Sequence, residues 1–228
     1  MTEKRKQLKP VDGADAGLFW LEGQYVFRHL SEGKEITKFV SPAAVRAAFS
    51  KEPVDSGWLP DNVLRCGNGS RGAWMVKWVP PAIYSMTLAV GEAAKSKRIS
   101  VPMPSLIWFG QKNHYYIWAA KEKSFKPGAA LYRAPLPNAN YDGLICFGDN
   151  AHPDVGAGGF ERTWKTFWSA RFTDHHDNDK SKKWPKSIID GLLHLDKART
   201  YPLADLVSGR STIEQAITRL TRRGEQYD

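Results

Sequence analysis

Cys146 is the side chain whose surroundings most favour chemistry. It closes a short apolar island within residues 135–159, a segment that is otherwise rich in glycine, proline, asparagine and aspartate. Side chains on loops anchored by turns often carry function, and a cysteine thiolate is a strong nucleophile. The alternative for any cysteine is burial as a small apolar residue, and Cys66 fits that alternative or a plain loop position.

Asn138 lies eight residues before Cys146, across a turn marked by Asn140, Asp142 and Gly143. A side-chain amide held near a thiol can donate its N–H to the oxyanion that forms when a thioester is attacked. The residue types and the turn between them are therefore compatible with acyl transfer through a cysteine.

Other patterns that carry chemistry are missing or weak. The sequence has no phosphate-binding glycine loop with its lysine, no dinucleotide-binding glycine motif and no His-Glu-x-x-His. Its two cysteines are too few for a disulfide framework or a cysteine-based zinc site. The pair His175-His176 lies in the charged run of residues 174–183, which we expect to be a solvated surface excursion. We therefore predict no metal and no cofactor.

The strands that must position Cys146 are expected in the stretch of sequence that precedes it. Apolar runs at residues 105–109 and 114–119 flank a turn and are typical of a hairpin, and a third strand follows at residues 129–133. Connections this short require antiparallel pairing. The pattern therefore predicts a β-meander that leads into the loop of Cys146.

The remaining elements follow from periodicity and from start and stop signals. Towards the N-terminus we predict short antiparallel strands over residues 18–39, a helix from Ser41-Pro42, a loop over 51–72, strands at 73–79 and 83–90, and a polar connector at 92–98. Towards the C-terminus we predict a helix over 160–168, a mixed pattern over 187–195, and a final helix opened by a Ser211–Glu214 capping box. Early strands and late helices indicate the α+β class.

The segment Leu136–Cys146 resembles the active-site segment of ubiquitin-conjugating enzymes. Those enzymes carry His-Pro-Asn, a turn with glycine and then Ile-Cys, with the same step from Asn to Cys and a β-meander before it. Leu136 stands where that family has its histidine. Among bacterial proteins the chain is similar to the prokaryotic ubiquitin-conjugating-like family that includes PRTRC system protein B, and two further segments add to this likeness, Trp78–Pro81 and Tyr201–Leu206.

The resemblance implies a fold and a domain organisation. It implies a UBC-like antiparallel β-meander flanked by helices, with the active-site loop and the C-terminal helices, over residues 99–228. Before this core we expect an extra β-rich portion with one short helix over residues 17–98. Residues 1–16 are expected to be a flexible basic tail.

The resemblance also implies a mechanism and partners. Cys146 would accept a ubiquitin-like protein as a thioester, and Asn138 would stabilise the oxyanion when an amine, such as a lysine, attacks. His152 is a candidate general base, with a plain loop histidine as the alternative. The implied partners are a ThiF/MoeB-like activating enzyme, the ubiquitin-like protein, a protein substrate and a JAMM-type peptidase of the same system.

The composition leaves two other functions open. The chain has 33 Lys and Arg against 24 Asp and Glu, a net charge of +9, and nine tryptophans. This fits a catalytically inactive protein of the same fold or a basic, Trp-rich protein that binds nucleic acid or assists a plasmid. A Cys-His hydrolase would need a histidine near Cys146, and His152, His114 and His194 are the candidates.

Apolar runs are too short for a membrane helix or signal peptide, so we expect a cytoplasmic protein.

Overall fold

The computed structural model describes residues 16–31, 33–49, 59, 61–69, 71–91, 94–156 and 158–222. Contacts divide the chain into two compact units, Met1–Trp58 and Leu59–Asp228. The expected basic tail lies outside the described residues except for Ala16.

Within its described residues, the first unit contains a three-stranded antiparallel sheet followed by one helix. Its elements are β1 (Ala16–Leu21), β2 (Gln24–Ser31), β3 (Lys34–Val40) and α1 (Pro42–Phe49). The side-chain oxygen of Ser41 accepts a hydrogen bond of 3.1 Å from the backbone N–H of Ala44, which is the N-cap contact that the Ser-Pro pattern predicts. The predicted strands and helix of this unit are confirmed.

The second unit contains the remaining described elements. Its strands are β4 (Val63–Gly69), β5 (Gly72–Val79), β6 (Ala82–Val90), β7 (Lys95–Met103), β8 (Ser105–Gln111), β9 (His114–Ala120), β10 (Ala130–Arg133), β11 (Arg171–Phe172) and β12 (Ser208–Thr212). Its helices are α2 (Gly159–Ser169), α3 (Ile188–His194) and α4 (Ile213–Arg222), with a single 3₁₀ turn at Leu203–Asp205.

A six-stranded antiparallel sheet lies at the centre of the second unit, in the order β12-β10-β9-β8-β5-β4. Strand β8 is buried along its whole length. Successive side chains point to opposite faces, so Leu106 and Trp108 enter one core cluster while Ile107 and Phe109 enter the other. Burial on both faces explains why this strand is apolar without alternation. The predicted β8–β9–β10 meander is confirmed.

Different elements cover the two faces of this sheet. One face packs against α2, α3 and a smaller sheet of order β11-β6-β7, in which β11 runs parallel to β6. The other face packs against the apolar side of α4, formed by Ile213, Ala216, Ile217 and Leu220. The α+β class with antiparallel strands and flanking helices is therefore confirmed.

Two segments that we expected to be irregular contain strands. Strand β4 lies within the predicted loop 51–72, and β7 begins at Lys95, within the predicted connector 92–98. Both stretches are polar because β4 is the edge of its sheet and because the first four residues of β7 are exposed. An exposed strand needs a backbone partner rather than an apolar face, so its composition resembles that of a loop.

The C-terminal helices also differ in detail from the expectation. The mixed pattern of residues 187–195 folds as α3, capped by the Ser187 side chain. The capping box of α4 is shifted by one residue: Thr212 N–H donates to Gln215 Oε1 at 2.9 Å, and Gln215 N–H donates to Thr212 Oγ1 at 3.3 Å. Thr212 takes the cap because Ile213, the first residue of the helix, must face the core.

Strands β4 to β7 belong to the second unit, together with the strands of the meander. The contact-based division after Trp58 thus differs from the division after residue 98 that the resemblance implied. Where the conjugating-enzyme-like core begins stays a prediction.

None of the helices in the described part of the chain has the length and apolarity of a membrane span.

Candidate active site

Asn138 and Cys146 lie opposite each other in a short antiparallel hairpin, which we call the Asn138–Cys146 hairpin (residues 138–146). The backbone N–H of Cys146 donates to the carbonyl of Asn138 at 2.9 Å, and the N–H of Asn140 donates to the carbonyl of Leu144 at 2.9 Å. An isolated bridge joins the residues between these bonds, Ala139 and Ile145. The structure therefore brings the two predicted site residues together through their backbones.

The turn of this hairpin depends on Asn140 and Gly143. The Asn140 side-chain oxygen accepts from the N–H groups of Asp142 and Leu144 at 2.9 and 3.0 Å. Gly143 has a φ of +89°, and a Cβ at this position would lie 2.7 Å from the Trp118 ring atom Cε2 and 2.8 Å from the Ile117 carbonyl oxygen. Only glycine fits this conformation and this close approach.

The second strand of the hairpin extends the central sheet beside β9. Ile117 N–H donates to the carbonyl of Gly143 at 2.8 Å, and Ile145 N–H donates to the carbonyl of Tyr115 at 2.9 Å. The indole N–H of Trp118 adds a 2.8 Å bond to the carbonyl of Asp142. Cys146 thus sits, partly exposed, at the end of a segment held by the sheet.

The side chain of Asn138 is buried and bonded at both ends of its amide. Its nitrogen donates to the carbonyl of Arg171 at 3.3 Å, and its oxygen accepts from the N–H of Thr173 at 3.1 Å. Asn138 therefore ties the hairpin to β11 and the residue after it. An amide nitrogen carries two N–H groups, so the bond to Arg171 uses only one of them.

His152 folds back onto the residue next to Cys146. Its ring stacks on Phe147 with centroids 4.6 Å apart and an interplanar angle of 12°. Its Nδ1 lies 3.0 Å from the carbonyl oxygen of Asn150. Because a carbonyl only accepts, Nδ1 must carry the hydrogen, and in the neutral ring Nε2 keeps the lone pair that a general base needs.

Lys180 is the residue of this site that the sequence analysis missed. Its ammonium donates to the carbonyls of Ala139 and Asn140, and its side chain is fully buried. Burial and the charge of Arg133 lower the pKa of Lys180 to about 8. The expectation that residues 174–183 form a solvated excursion is wrong for Lys180 and for Ser181, which is buried as well. Nothing in a charged run distinguishes the one lysine that packs inward.

A groove of about 490 Å³ is formed partly by residues whose backbones bond the Asn138 side chain. Arg171 and Thr173 line it, as do three carboxylates, Asp174, Asp177 and Asp190. Burial raises the pKa of Asp177, with smaller contributions from the charges of the other two. Carboxylates in a groove wall attract cations.

The other residues that the sequence singled out lie elsewhere. Cys66 is exposed on the edge strand β4. The rings of His175 and His176 contact each other, with their centroids 4.1 Å apart. In the described residues, no group of three or more His, Cys, Asp or Glu is arranged to hold a metal ion. His114 is exposed at the start of β9, and His194, at the end of α3, contacts the ring of Trp184.

An α+β fold with an Asn–Cys hairpin after a β-meander is the expected arrangement of an E2-like protein, the ubiquitin-conjugating class. The chain belongs to prokaryotic E2 family D, whose family model matches residues 36–209. No curated protein and no solved structure matches the chain. Membership indicates a conjugating-type transferase in general, working with an activating enzyme and a ubiquitin-like protein. The narrower likeness to PRTRC system protein B stays a prediction.

Proposed function

We propose that this chain is a ubiquitin-conjugating-like enzyme that accepts a ubiquitin-like protein as a thioester on Cys146 and transfers it to an amine, such as a lysine. The observation that carries the proposal is the pairing of Cys146 with Asn138 in a hairpin bonded to β9, within the residues that match the family. A partly exposed thiol on a rigid support can reach a partner's thioester without rearrangement of the fold.

Loading of the enzyme is an exchange of thioesters. The Cys146 thiolate attacks the carbonyl carbon of the thioester on the activating enzyme, a new carbon–sulfur bond forms, and the activating enzyme's thiolate leaves. The proton of the Cys146 thiol passes to solvent or to Nε2 of His152. ATP is consumed by the activating enzyme, so this chain needs no metal or organic cofactor for the step.

Discharge forms an amide. The amine nitrogen attacks the thioester carbonyl, and the resulting oxyanion accepts a hydrogen bond from the Asn138 amide. The carbon–sulfur bond then breaks, Cys146 leaves as a thiolate, and the amine loses its proton to His152 or water. The acidic groove that Arg171 and Thr173 line would attract an approaching lysine by its charge.

The proposal includes the finer parts of the resemblance. The fold of the core would be UBC-like, and the partners would be a ThiF/MoeB-like activating enzyme, a ubiquitin-like protein, a protein substrate and a JAMM-type peptidase of the same system. These reactions would take place in the cytoplasm.

A non-reducing gel tests the proposal. The chain is incubated with an activating enzyme of the ThiF/MoeB type, ATP and the ubiquitin-like protein encoded with it. We expect a band that reductant removes, that Cys146→Ser abolishes, and that Cys66→Ser, a control at an exposed cysteine outside the hairpin, leaves unchanged. Absence of this band with an activating enzyme shown to be charged would contradict the proposal and favour the catalytically inactive alternative.

The nucleic-acid alternative loses part of its support in the structure. Of the eight tryptophans within the described residues, four are buried in the core, Trp74, Trp78, Trp108 and Trp118, and only Trp20 is exposed. Buried rings cannot stack on bases, so Trp20 is the one exposed ring of the described tryptophans that remains to this alternative, beside the net charge of +9. Salt-dependent DNA binding that survives Cys146→Ala, in a protein that forms no thioester, would favour it.

A further inference from the structure

Lys180 is a buried lysine that pairs with no carboxylate within the described residues. Its side chain is 1% exposed, and its ammonium donates to two backbone carbonyls, those of Ala139 and Asn140. None of the four ion pairs found in this part of the chain includes it. A buried ammonium is costly unless hydrogen bonds compensate its lost hydration, so these two bonds are what offsets its burial.

Both carbonyls belong to the first strand of the Asn138–Cys146 hairpin. Neighbouring residues of a strand direct their backbone groups to opposite sides, so the Ala139 carbonyl points away from the strand that contains Cys146. Ala139 is fully buried, and its carbonyl needs a donor other than water. Lys180 supplies that donor and closes the outer edge of the hairpin.

The backbone at Lys180 is itself held by a buried network around Asp205. Ser181 forms a bridge with Leu206, and its hydroxyl donates to one Asp205 carboxylate oxygen at 2.9 Å. The backbone N–H of Lys183 donates to the same oxygen at 2.7 Å. The hydroxyl of Tyr201 donates to the other oxygen at 3.3 Å. The network fixes the segment from which Lys180 reaches the hairpin.

The charge that contributes to the pKa shift of Lys180 is that of another cation, Arg133. Arg133 of β10 donates to the carbonyl of Asp179, and its charge adds to burial in lowering the pKa of Lys180. Burial, together with the charges of His175 and Lys180, lowers the pKa of His176. The bonds to the two carbonyls therefore hold the ammonium in place without help from an ion pair.

We propose that Lys180 is a positioning residue that clamps the outer edge of the Asn138–Cys146 hairpin and keeps Asn138 and Cys146 in the arrangement that transfer requires. The inference rests on the proposed function only where it treats Cys146 as the reacting group. The clamp itself is a property of the backbone and is measurable without any partner protein.

Amide hydrogen exchange of the full chain at pH 7 tests the clamp. In Lys180→Met we expect the Cys146 amide, which is bonded to Asn138, to exchange about tenfold faster, while the amides of β8 keep their rates. Lys180→Gln, whose amide nitrogen can still donate to the two carbonyls, should lie between Met and the wild type. If Lys180→Met folds poorly, Lys180→Gln still tests the clamp.

The matched control is Lys182→Met. Lys182 is exposed and donates to the carbonyl of Ala204 at 3.1 Å, so its loss removes a lysine–carbonyl bond outside the hairpin. We expect the Cys146 amide to keep its wild-type rate in this variant. Unchanged exchange of that amide in both Lys180 variants, or an equal acceleration in Lys182→Met, would overturn the inference.

Kinetics of transfer separate positioning from a general structural effect. Lys180→Met should slow discharge of the thioester to lysine about tenfold, leave the KM for the ubiquitin-like protein unchanged, and be partly rescued in Lys180→Gln. Full discharge rates in Lys180→Met would remove Lys180 from the reaction. If the wild type forms no thioester, the proposed function fails, and the exchange experiment alone decides whether the clamp exists.

Discussion

The backbone N–H of Cys146 donates a hydrogen bond of 2.9 Å to the carbonyl of Asn138, so these two residues are neighbours across a hairpin. The Asn138 side chain makes other contacts: its amide bonds the backbone of Arg171 and of Thr173. Asn138 therefore supports Cys146 through its backbone and the β11 segment through its amide. Substitutions at Asn138 change the side-chain contacts and leave the backbone pair available.

Asn138→Ala should lower both stability and the rate of discharge. Removing the amide leaves the partly buried Arg171 carbonyl and Thr173 N–H without these partners, which costs about 1–3 kcal/mol. We expect thioester formation to persist because the backbone pair with Cys146 remains. Urea unfolding and single-turnover discharge to lysine measure the two effects.

Asn150→Ala is the matched control for Asn138→Ala. Asn150 is exposed, and its amide donates to the carbonyl of Phe147 at 2.8 Å in the loop after Cys146. Its loss should cost less than about 1 kcal/mol because water can replace the bond. Equal losses in the two variants would show that the contacts of Asn138 to the β11 segment do not stabilise the fold.

Gly143→Ala should destabilise the protein by about 2–4 kcal/mol, because strain at positive φ adds to a close contact with Trp118 and with the Ile117 carbonyl. Thermal or urea unfolding measures the loss. Gly148→Ala separates the two causes, since Gly148 has a φ of +57° and nothing within 4 Å of its Cβ position. We expect that control to lose about 1 kcal/mol. If Gly148→Ala loses as much stability as Gly143→Ala, the positive φ alone would account for the effect at Gly143.

His152 is tested by a pair of variants that differ in one property. His152→Phe keeps an aromatic ring to stack on Phe147 but has no ring nitrogen, whereas His152→Gln loses the stack as well. If His152 is the base that accepts the amine proton, both variants should slow discharge about 100-fold. Discharge at the wild-type rate in His152→Phe would reduce His152 to a packing residue of the loop.

The buried ammonium of Lys180 should make stability depend on pH above neutrality. Its pKa is about 8 in the folded chain against 10.5 in a free side chain, so between these values the unfolded chain binds more protons. The free energy of unfolding should therefore rise by about 2 kcal/mol between pH 7 and 9.5. Urea unfolding across this range measures the slope.

This rise of the free energy of unfolding with pH should vanish in Lys180→Met. It should persist in Lys182→Met, because Lys182 is exposed. Burial also raises the pKa of Tyr84, to about 12, and that of Tyr201, and such groups lower stability only as the pH rises beyond about 10. The measurement therefore stops at pH 9.5. An unchanged slope in Lys180→Met would assign the pH dependence to other groups.

Much of the site's frame is predictable because it is local. The apolar runs of β8 and β9 and the short turn between them require an antiparallel meander, and the structure has one. The exposed strands β4 and β7 were not predictable in the same way. They are held by backbone bonds to partners, and their polar side chains leave no periodic pattern.

The sequence by itself determines the turn between Asn138 and Cys146. The turn residues Asn140 and Gly143 lie between them, and their hydrogen bonds and positive φ act within a few residues. Only the tertiary structure decides that the Asn138 amide is occupied by residues around β11 and that Lys180 is buried against the hairpin. Those contacts join residues more than thirty positions apart, and packing against the core, rather than local preference, selects them.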